Sequence, residues 1–445
     1  MAALTGMQVY KSLPRTNCKD CGFPTCMAFA MQVAAKQKAL TDCKHLTEEA
    51  KSTLADASAP PMKLVTIGNA DKKFVFGQET VMFRHEERFH HASGIAVRIA
   101  ASLSDAQAEE KVLAIHRVSF ERAGERLNAA LCAVEVDGVA DPADRAKRIA
   151  AKSCLPLILM GTAADKLAAA AEAVASERPL ICMATAATVD ALADLAVKTK
   201  SPLAIGAETL EELADLVQKA KAKGVEEIVL ALSGKNPGET LRRLTITRRA
   251  ALRKNFRVFG YPTLVTVESD SPESECVLAA TFAAKYAGIV VVNGSEAWEL
   301  LPVLTTIQSV YTNPQVPNAV ESKLYAIGSV NENSPVIMTT NFSLTYFSVA
   351  GEVERSKIPT YICVVNTEGL GVLNAYAGDK ISPEKVVKTL QEQKVAEKVK
   401  HRKLIIPGLL PIFKGELEDI SEWKEVIIGP ENASRIPAFL TSIWK

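Results

Sequence analysis

The chain has no excess of one charge. Its 445 residues carry 52 Lys and Arg against 51 Asp and Glu, a net charge of +1. No global field would draw it onto nucleic acid or an anionic membrane. Aromatic residues are scarce at 6%, too few to build stacking platforms for single-stranded nucleic acid. No apolar run approaches the roughly 20 residues of a membrane helix. The stretch Met1–Arg15 has no apolar core followed by a small-residue cleavage site, so a signal peptide is not expected. The expectation is a soluble cytoplasmic protein without nucleic-acid or membrane partners. There is no G-x-x-x-x-G-K-[ST] loop and hence no P-loop nucleotide site. What remains is average globular composition, 48% apolar and 23% charged, over a length that suggests about two to four domains.

The nine cysteines are an odd number, against a purely disulfide framework, and they are unevenly spread. Four fall in the first 43 residues: Cys18-Lys-Asp-Cys21-Gly-Phe-Pro-Thr-Cys26, spaced C-x2-C-x4-C, then Cys43. Four thiolates this close can surround one metal centre. Structural zinc sites usually present two C-x2-C hooks, whereas here the second pair is broken and the loop is tight. A [4Fe–4S] cluster held by Cys18, Cys21, Cys26 and Cys43 suits this pattern better, with zinc as the alternative. The stretch Met27–Leu40 is apolar-periodic and predicts a helix returning the chain to the fourth thiol. With all four ligands filled, such a cluster transfers electrons and points to a second redox partner in the same chain. The other five cysteines, Cys132, Cys154, Cys182, Cys276 and Cys363, lie in or beside apolar runs or a helix start and are expected to be small buried hydrophobes.

Residues 47–61 begin as a capped helix and end in Ala-Ser-Ala-Pro-Pro, a linker. This sets off residues 1–58 as a cluster module. Beyond it, eight short apolar runs alternate with amphipathic segments: Ile95–Ile99, Leu131–Val136, Leu155–Met160, Pro179–Ala184, Pro202–Ala207, Glu227–Leu232, Leu264–Glu268 and Ile289–Asn293. Strands apolar throughout are buried on both faces, and eight such units predict a closed (β/α)8 TIM barrel over residues 59–322. A hairpin of Lys63–Ile67 and Lys73–Phe76 is placed to plug its lower end. The barrel strand ends offer Glu135, Asp137, Glu208 and Glu268, but no clear acid/base pair. His85, His90 and His91 do not share a helix face and predict a polar loop. From about 323 to 445 the rhythm restarts, with strands at Val336–Thr340, Thr360–Asn366, Lys403–Pro407 and Glu425–Ile428. This predicts a doubly wound, Rossmann-like α/β domain whose ligand would sit at the carboxyl ends of the strands.

The start of the chain, from Leu-Thr-Gly-Met-Gln-Val-Tyr through Asn17-Cys-Lys-Asp-Cys-Gly-Phe-Pro-Thr-Cys-Met-Ala-Phe-Ala, resembles the large (gamma) subunits of corrinoid iron–sulfur proteins. These belong to the reductive acetyl-CoA pathway and the acetyl-CoA decarbonylase/synthase complex. Thr339-Thr340-Asn341-Phe342-Ser-Leu-Thr-Tyr346 and Glu368-Gly369-Leu370-Gly371-Val372 resemble that family's C-terminal domain, and the likeness runs the length of the chain. It implies a methyl carrier, counted as an enzyme of methyl transfer only as a component. A methyltransferase would pass the methyl group of methyl-tetrahydrofolate, or of a methyl-tetrahydropterin, to a bound cob(I)amide, and acetyl-CoA synthase would receive it. The cluster would serve reductive reactivation of Co(II). The implied cofactors are the cluster and a base-off corrinoid. The implied partners are the small subunit of a heterodimer, the methyltransferase, acetyl-CoA synthase and a reductive activator. Carried onto this sequence, the corrinoid contacts are Thr340, Phe342, Tyr346, Gly369, Leu370, Gly371, Val372, Leu373, Gly408 and Arg435. The cobalt-ligating motif Asp-x-His-x-x-Gly is absent, and His401 is the one histidine of the C-terminal domain. The alternative is an iron–sulfur electron-transfer subunit without corrinoid. A folate-binding barrel is weaker, since only Asn293 and Glu268 are placed for it at the mouth.

Overall fold

The computed structural model of the chain describes residues 6–34, 42–46 and 60–444. Their contacts divide into two compact units: Met1–Ser119 with Asn128–Tyr311, and Phe120–Leu127 with Thr312–Lys445. The capped helix expected from Thr47, most of the Pro-ending linker and the end of the helix expected to reach Leu40 lie outside the described residues.

The first unit begins with two short helices, α1 (Gly6–Ser12) and α2 (Cys26–Ala34). Thr25 caps α2, its Oγ1 accepting from Ala28 N at 3.1 Å. Val9, Leu13, Phe29, Ala30 and Leu46 bury a small core that includes Cys26 and Cys43. The barrel follows. Its strands are β3 (Gly94–Ile99), β6 (Leu131–Glu135), β7 (Leu157–Met160), β8 (Leu180–Ala184), β9 (Leu203–Gly206), β10 (Ile228–Ala231), β11 (Thr263–Thr266) and β12 (Ile289–Val292). All are parallel, and they close on themselves in chain order. The helices between them are α3 (Asp105–Arg117), α4 (Pro142–Lys152), α5 (Ala164–Ala173), α6 (Val189–Thr199), α7 (Leu210–Ala222), α8 (Pro237–Arg253), α9 (Pro272–Ala284) and α10 (Ala297–Tyr311). Three of them start with a side-chain cap followed by proline: Asp141-Pro142, Asn236-Pro237 and Ser271-Pro272. There the cap's oxygen takes an orphan N–H, and the proline lacks one to lose.

The expected plug is present. Strands β1 (Leu64–Gly68) and β2 (Lys73–Gly77) pair antiparallel, and Val65, Ile67 and Phe76 pack against barrel-interior residues such as Ala96, Leu131 and Val229. Asn69 Oδ1 closes the turn by accepting from Asp71 N at 3.0 Å and Lys72 N at 3.2 Å. Gly68 has φ +97°, and a Cβ there would run into the Lys72 carbonyl. Gly68→Ala should therefore cost about 1–3 kcal/mol; a calorimetric melt that stays at the wild-type temperature would refute this.

Cys132, Cys182 and Cys363 are buried as expected, but Cys154 is exposed, which corrects that expectation. Cys154 stands in the turn ahead of β7 rather than in the strand. Residues 78–93 form turns, and His90 bonds Glu87 at 2.9 Å.

The second unit is an open sheet flanked by helices. It contains β13 (Leu324–Ile327), β14 (Val336–Thr340), β15 (Thr360–Val365), β16 (Lys403–Ile406) and β17 (Glu425–Ile428), in spatial order β13-β15-β14-β16-β17. All pair parallel except β13, an antiparallel edge strand with no counterpart in the sequence reading. On one face lie α12 (Val372–Ala377), α13 (Pro383–Glu392) and α14 (Phe413–Ile420), over Val336, Met338 and Cys363. On the other lie α11 (Ser343–Ser356) and α15 (Ile436–Ile443), over Ile337, Ile362 and Ile405. Helix α13 stops at Glu392, ahead of Lys394, which takes φ +52°. Residues 312–322 group with this unit, ahead of the expected boundary at 322/323. So does a polar hairpin that the sequence reading missed, β4 (Ser119–Arg122) with β5 (Glu125–Asn128). Its turn residues Ala123 and Gly124 both have positive φ, and a Cβ on Gly124 would meet the Phe347 ring at 2.5 Å.

Candidate functional site

Two centres carry chemistry-bearing residues. The first is the cysteine loop. Asn17 and Cys26 clasp its ends, with Cys26 N donating to Asn17 Oδ1 at 2.8 Å and Asn17 N to Cys26 Sγ at 3.4 Å. Arg15, Asn17, Lys19 and Gly22 all have positive φ. Left-handed residues alternating with ordinary ones turn successive N–H groups inward, the concavity that iron–sulfur and other anionic centres occupy. Cys26 opens α2, where free helical N–H groups favour a thiolate. The fourth thiol, Cys43, shares a small buried core with Cys26, and Cys21 packs against it. Burial pushes Cys43 up, a backbone hydrogen bond from His45 opposes this, and the charges of Cys21, Cys18 and Cys26 push it further up. Four thiols grouped about one short loop are a donor set that an iron–sulfur centre takes, so the residues fit such a group. Beside them His45 Nε2 lies 2.6 Å from Asp20 Oδ2, and the pairing holds the exposed Asp20 carboxyl below its ordinary value.

The second centre is the carboxyl edge of the open sheet. The parallel order β15-β14-β16-β17 reverses between β14 and β16, a topological switch point. There the two strands share one residue pair, Ile337 with Ile405, and splay apart beyond it. The crevice so opened measures about 340 Å³ and is walled by Thr339, Thr345, Val349, Pro407, Pro430 and Ile436, among others. Around it stand large apolar side chains left open to solvent: Leu344, Leu373, Leu409 and Ile412. Asn341 joins the two loops beside it. Its buried Oδ1 accepts from Thr367 N at 2.8 Å and Gly369 N at 3.0 Å, and its Nδ2 donates to Asn366 Oδ1 at 3.2 Å. Thr340 Oγ1 is buried with no partner among the described residues, an orphan of the kind a bound polar group relieves.

The fold gathers most of the residues proposed from sequence. Thr340 ends β14 next to Asn341, Gly369, Leu370 and Gly371 lie in the loop that Asn341 ties, and Phe342 packs beside Gly371. Val372 borders the crevice and Leu373 the open rim. Gly369 (φ +76°) is pressed against Pro317. Gly408 is needed for close approach, since a Cβ there would lie 2.5 Å from Gly429 O and 2.6 Å from Glu431 N. Arg435 is exposed at the end of a single 3-10 turn, next to Ile436. Tyr346 is the exception. It is buried under α11 with its ring 4.5 Å from that of Tyr325, and burial pushes its hydroxyl up to about 12. Sequence reading missed Asn341 as the connecting residue. It also missed the α11 face of Leu344, Thr345, Ser348 and Val349, whose i, i+1, i+4, i+5 spacing was the available signal. His401 stands at the start of β16, away from this edge, bonded to Ser334 O at 2.9 Å and accepting from Lys403 N at 3.2 Å.

A family profile described as "CO dehydrogenase/acetyl-CoA synthase delta subunit" matches residues 64–440, and one described as "Putative Fe-S cluster" matches residues 13–45, spanning all four loop cysteines. The corrinoid/iron-sulfur protein large subunit of Moorella thermoacetica is 42% identical over 98% of this chain and 98% of its own length. The acetyl-CoA decarbonylase/synthase complex subunit gamma of Methanopyrus kandleri is 37% identical over 99% of this chain and 98% of its own. The same subunit of Methanothermobacter thermautotrophicus is 33% identical over 99% of both. The chain belongs to the family of corrinoid/iron–sulfur protein large subunits and acetyl-CoA decarbonylase/synthase gamma subunits.

Proposed function

We propose that this chain is a corrinoid methyl carrier, with a [4Fe–4S] module over residues 1–58, a barrel over 59–322 and a corrinoid-binding domain over 323–445. The observation that carries the reading is the splayed β14/β16 edge with its apolar rim. The crevice is too small for a macrocycle but suits an appended arm, and Leu344, Leu373, Leu409 and Ile412 would meet a flat apolar ring. Bound there, a corrinoid would supply the methyl-accepting chemistry of a low-valent cobalt, between a methyltransferase acting on methyl-tetrahydrofolate or a methyl-tetrahydropterin and acetyl-CoA synthase, and the cluster would supply electrons for reactivation. The chain's own residues hold and orient. Cys18, Cys21, Cys26 and Cys43 are the iron ligands. Thr340, with its unpartnered hydroxyl, meets a polar group of the ring's periphery. The N–H groups of residues 369–373 and the close turn at Gly408 let backbone approach the ring, and exposed Arg435 reaches its acidic or amide substituents. Tyr346 supports α11 from beneath. No imidazole borders the crevice, and His401 has both ring nitrogens engaged elsewhere, consistent with a base-off cofactor without a protein ligand. A small companion subunit would cover the ring's open side, and a reductive activator would act on the same assembly.

Anaerobic purification with the companion subunit tests this by metal count and visible spectrum. The expected result is about four iron atoms and one cobalt per chain, with a base-off corrinoid absorption. Iron without cobalt under those conditions would leave the electron-transfer reading in its place.

A further inference from the structure

One large cavity among the described residues belongs to neither centre. It is the carboxyl-terminal mouth of the barrel, about 910 Å³, within the range of small-molecule sites and at the end where barrels of this type bind their ligands. Its floor is soft and apolar. Met160, Cys182 and Met183 bring three sulfur atoms there beside Ala231 and Leu264. Gly206 keeps that space open, since a Cβ on it would lie 2.6 Å from Met183 Sδ. Polarizable sulfur contacts are favourable against aromatic rings, and none of the lining residues is itself aromatic.

The rim is braced. Buried Arg145 donates to Ser104 O at 3.2 Å and to Leu103 O, pinning the loop before α3. Buried Arg243 donates to Ala207 O at 3.0 Å, Ser233 O at 3.4 Å and Glu208 O, pinning the loops after β9 and β10. Arg98 is held by Asn293 Oδ1 at 2.6 Å, Glu268 at 3.2 Å and Glu135 at 3.5 Å, so that cation is already spoken for. Burial pushes Asp137 up, but bonds from Thr162 N, Thr162 Oγ1 and Ala163 N outweigh it and hold the carboxyl below its usual range. Two charged groups on neighbouring loops are left over. Glu208 has its backbone fixed on both sides, its N–H donating to Glu212 Oε2 at 3.2 Å and its carbonyl bonded by Arg243. Its carboxylate has no bond or ion pair among the described residues, nor does the ammonium of Lys235.

We propose that the barrel mouth binds a planar aminopyrimidinone ring, the chemistry shared by guanine nucleosides and pterins, with Glu208 accepting from its adjacent amino and ring N–H groups. The ring lies on the Met160, Cys182 and Met183 floor, and Lys235 donates to its carbonyl oxygen. A carboxylate meets two parallel N–H donors bidentately, so it selects such a face over one that lacks the amino group. The excess of carboxylates around the mouth disfavours anionic ligands. This site is independent of the corrinoid reading and stands or falls without it.

The test is a titration of the full chain, labelled with 13C at the methionine methyls, with guanosine and with pterin. Inosine and lumazine, which lack the amino donor, serve as their controls, and Met160→Leu and Met183→Leu assign the signals. The expected result is a shift confined to the Met160 and Met183 methyls, with at least about tenfold tighter binding of the amino-bearing member of a pair. Response to guanosine alone would name a nucleoside as the source, and response to pterin alone a pteridine. Glu208→Gln, at an exposed position, should abolish the preference for the amino-bearing ring while the melt stays unchanged, and Lys235→Met should weaken both members of a pair alike. Silence of Met160 and Met183 to both probes at millimolar concentration, equal binding of the controls, or undiminished preference in Glu208→Gln would each overturn the proposal.

Discussion

Replacing Cys21 by alanine should empty the amino-terminal centre of iron and leave cobalt in place. Three of the four thiols lie on a loop bent by positive φ at Arg15, Asn17, Lys19 and Gly22, and Cys43 shares a small buried core with Cys26. A cluster that loses one of four thiolate ligands has an open iron held by only three. The expected count falls from about four iron atoms per chain to well below one. The low-temperature EPR signal of the reduced protein should disappear with it. The crevice residues lie in the other compact unit, so cobalt per chain should match wild type. Recovery of methyl-accepting activity after oxidation should slow, because the local source of electrons is gone. Loss of cobalt together with iron would refute the modular division, and full-speed recovery would refute the cluster's part in reactivation.

Asn341→Ala should have the converse effect, lowering cobalt content while iron stays. Asn341 is 5% exposed, and its one side-chain oxygen satisfies the N–H groups of Thr367 and Gly369 at once. Removing it leaves two buried donors unpaired, at a cost of about 2–4 kcal/mol. It also frees the turn at Glu368 and Gly369, both with positive φ, which leads into Val372 of the crevice wall. Asn341→Asp keeps the acceptor and should restore most of the cobalt, whereas Asn341→Leu should not. Retention of wild-type cobalt by the alanine and leucine variants would show that the loop is positioned without this residue.

The barrel was legible because each of its strands is apolar on both faces, and because caps such as Asn236-Pro237 mark helix starts in the sequence itself. The hairpin of Ser119–Asn128 was not. Four of its ten residues are charged and none of its strands is an apolar run, and Gly124 lies close against the Phe347 ring, a contact no local pattern announces. The edge strand Leu324–Ile327 was hidden for a related reason. It is half-exposed, so its pattern lacks the apolar run by which its buried neighbours announce themselves. At the candidate site, the cysteine spacing could be read directly, since the thiols lie close along the chain. The placement of Tyr346 was not legible, because a tyrosine in the first turn of a helix after a strand end can face either the edge or the sheet. The turn of α11 sends it to the sheet, beside Tyr325.

The sequence by itself determined the features that depend on neighbours along the chain: the four-thiol loop, the alternation that makes a barrel and then an open sheet, and the lack of a histidine to ligate a metal near a strand end. Tertiary structure alone decided what depends on residues far apart. Asn341 becomes a connector only when β14 lies beside β15, the crevice exists only because β14 and β16 part after one pair, and Glu208 is left without a partner among the described residues while Arg98 and Arg243 are satisfied by loops distant in sequence. Local pattern is set by the period of burial, but the pairing of polar groups is set by which strands become neighbours, and one chain read in order does not contain that.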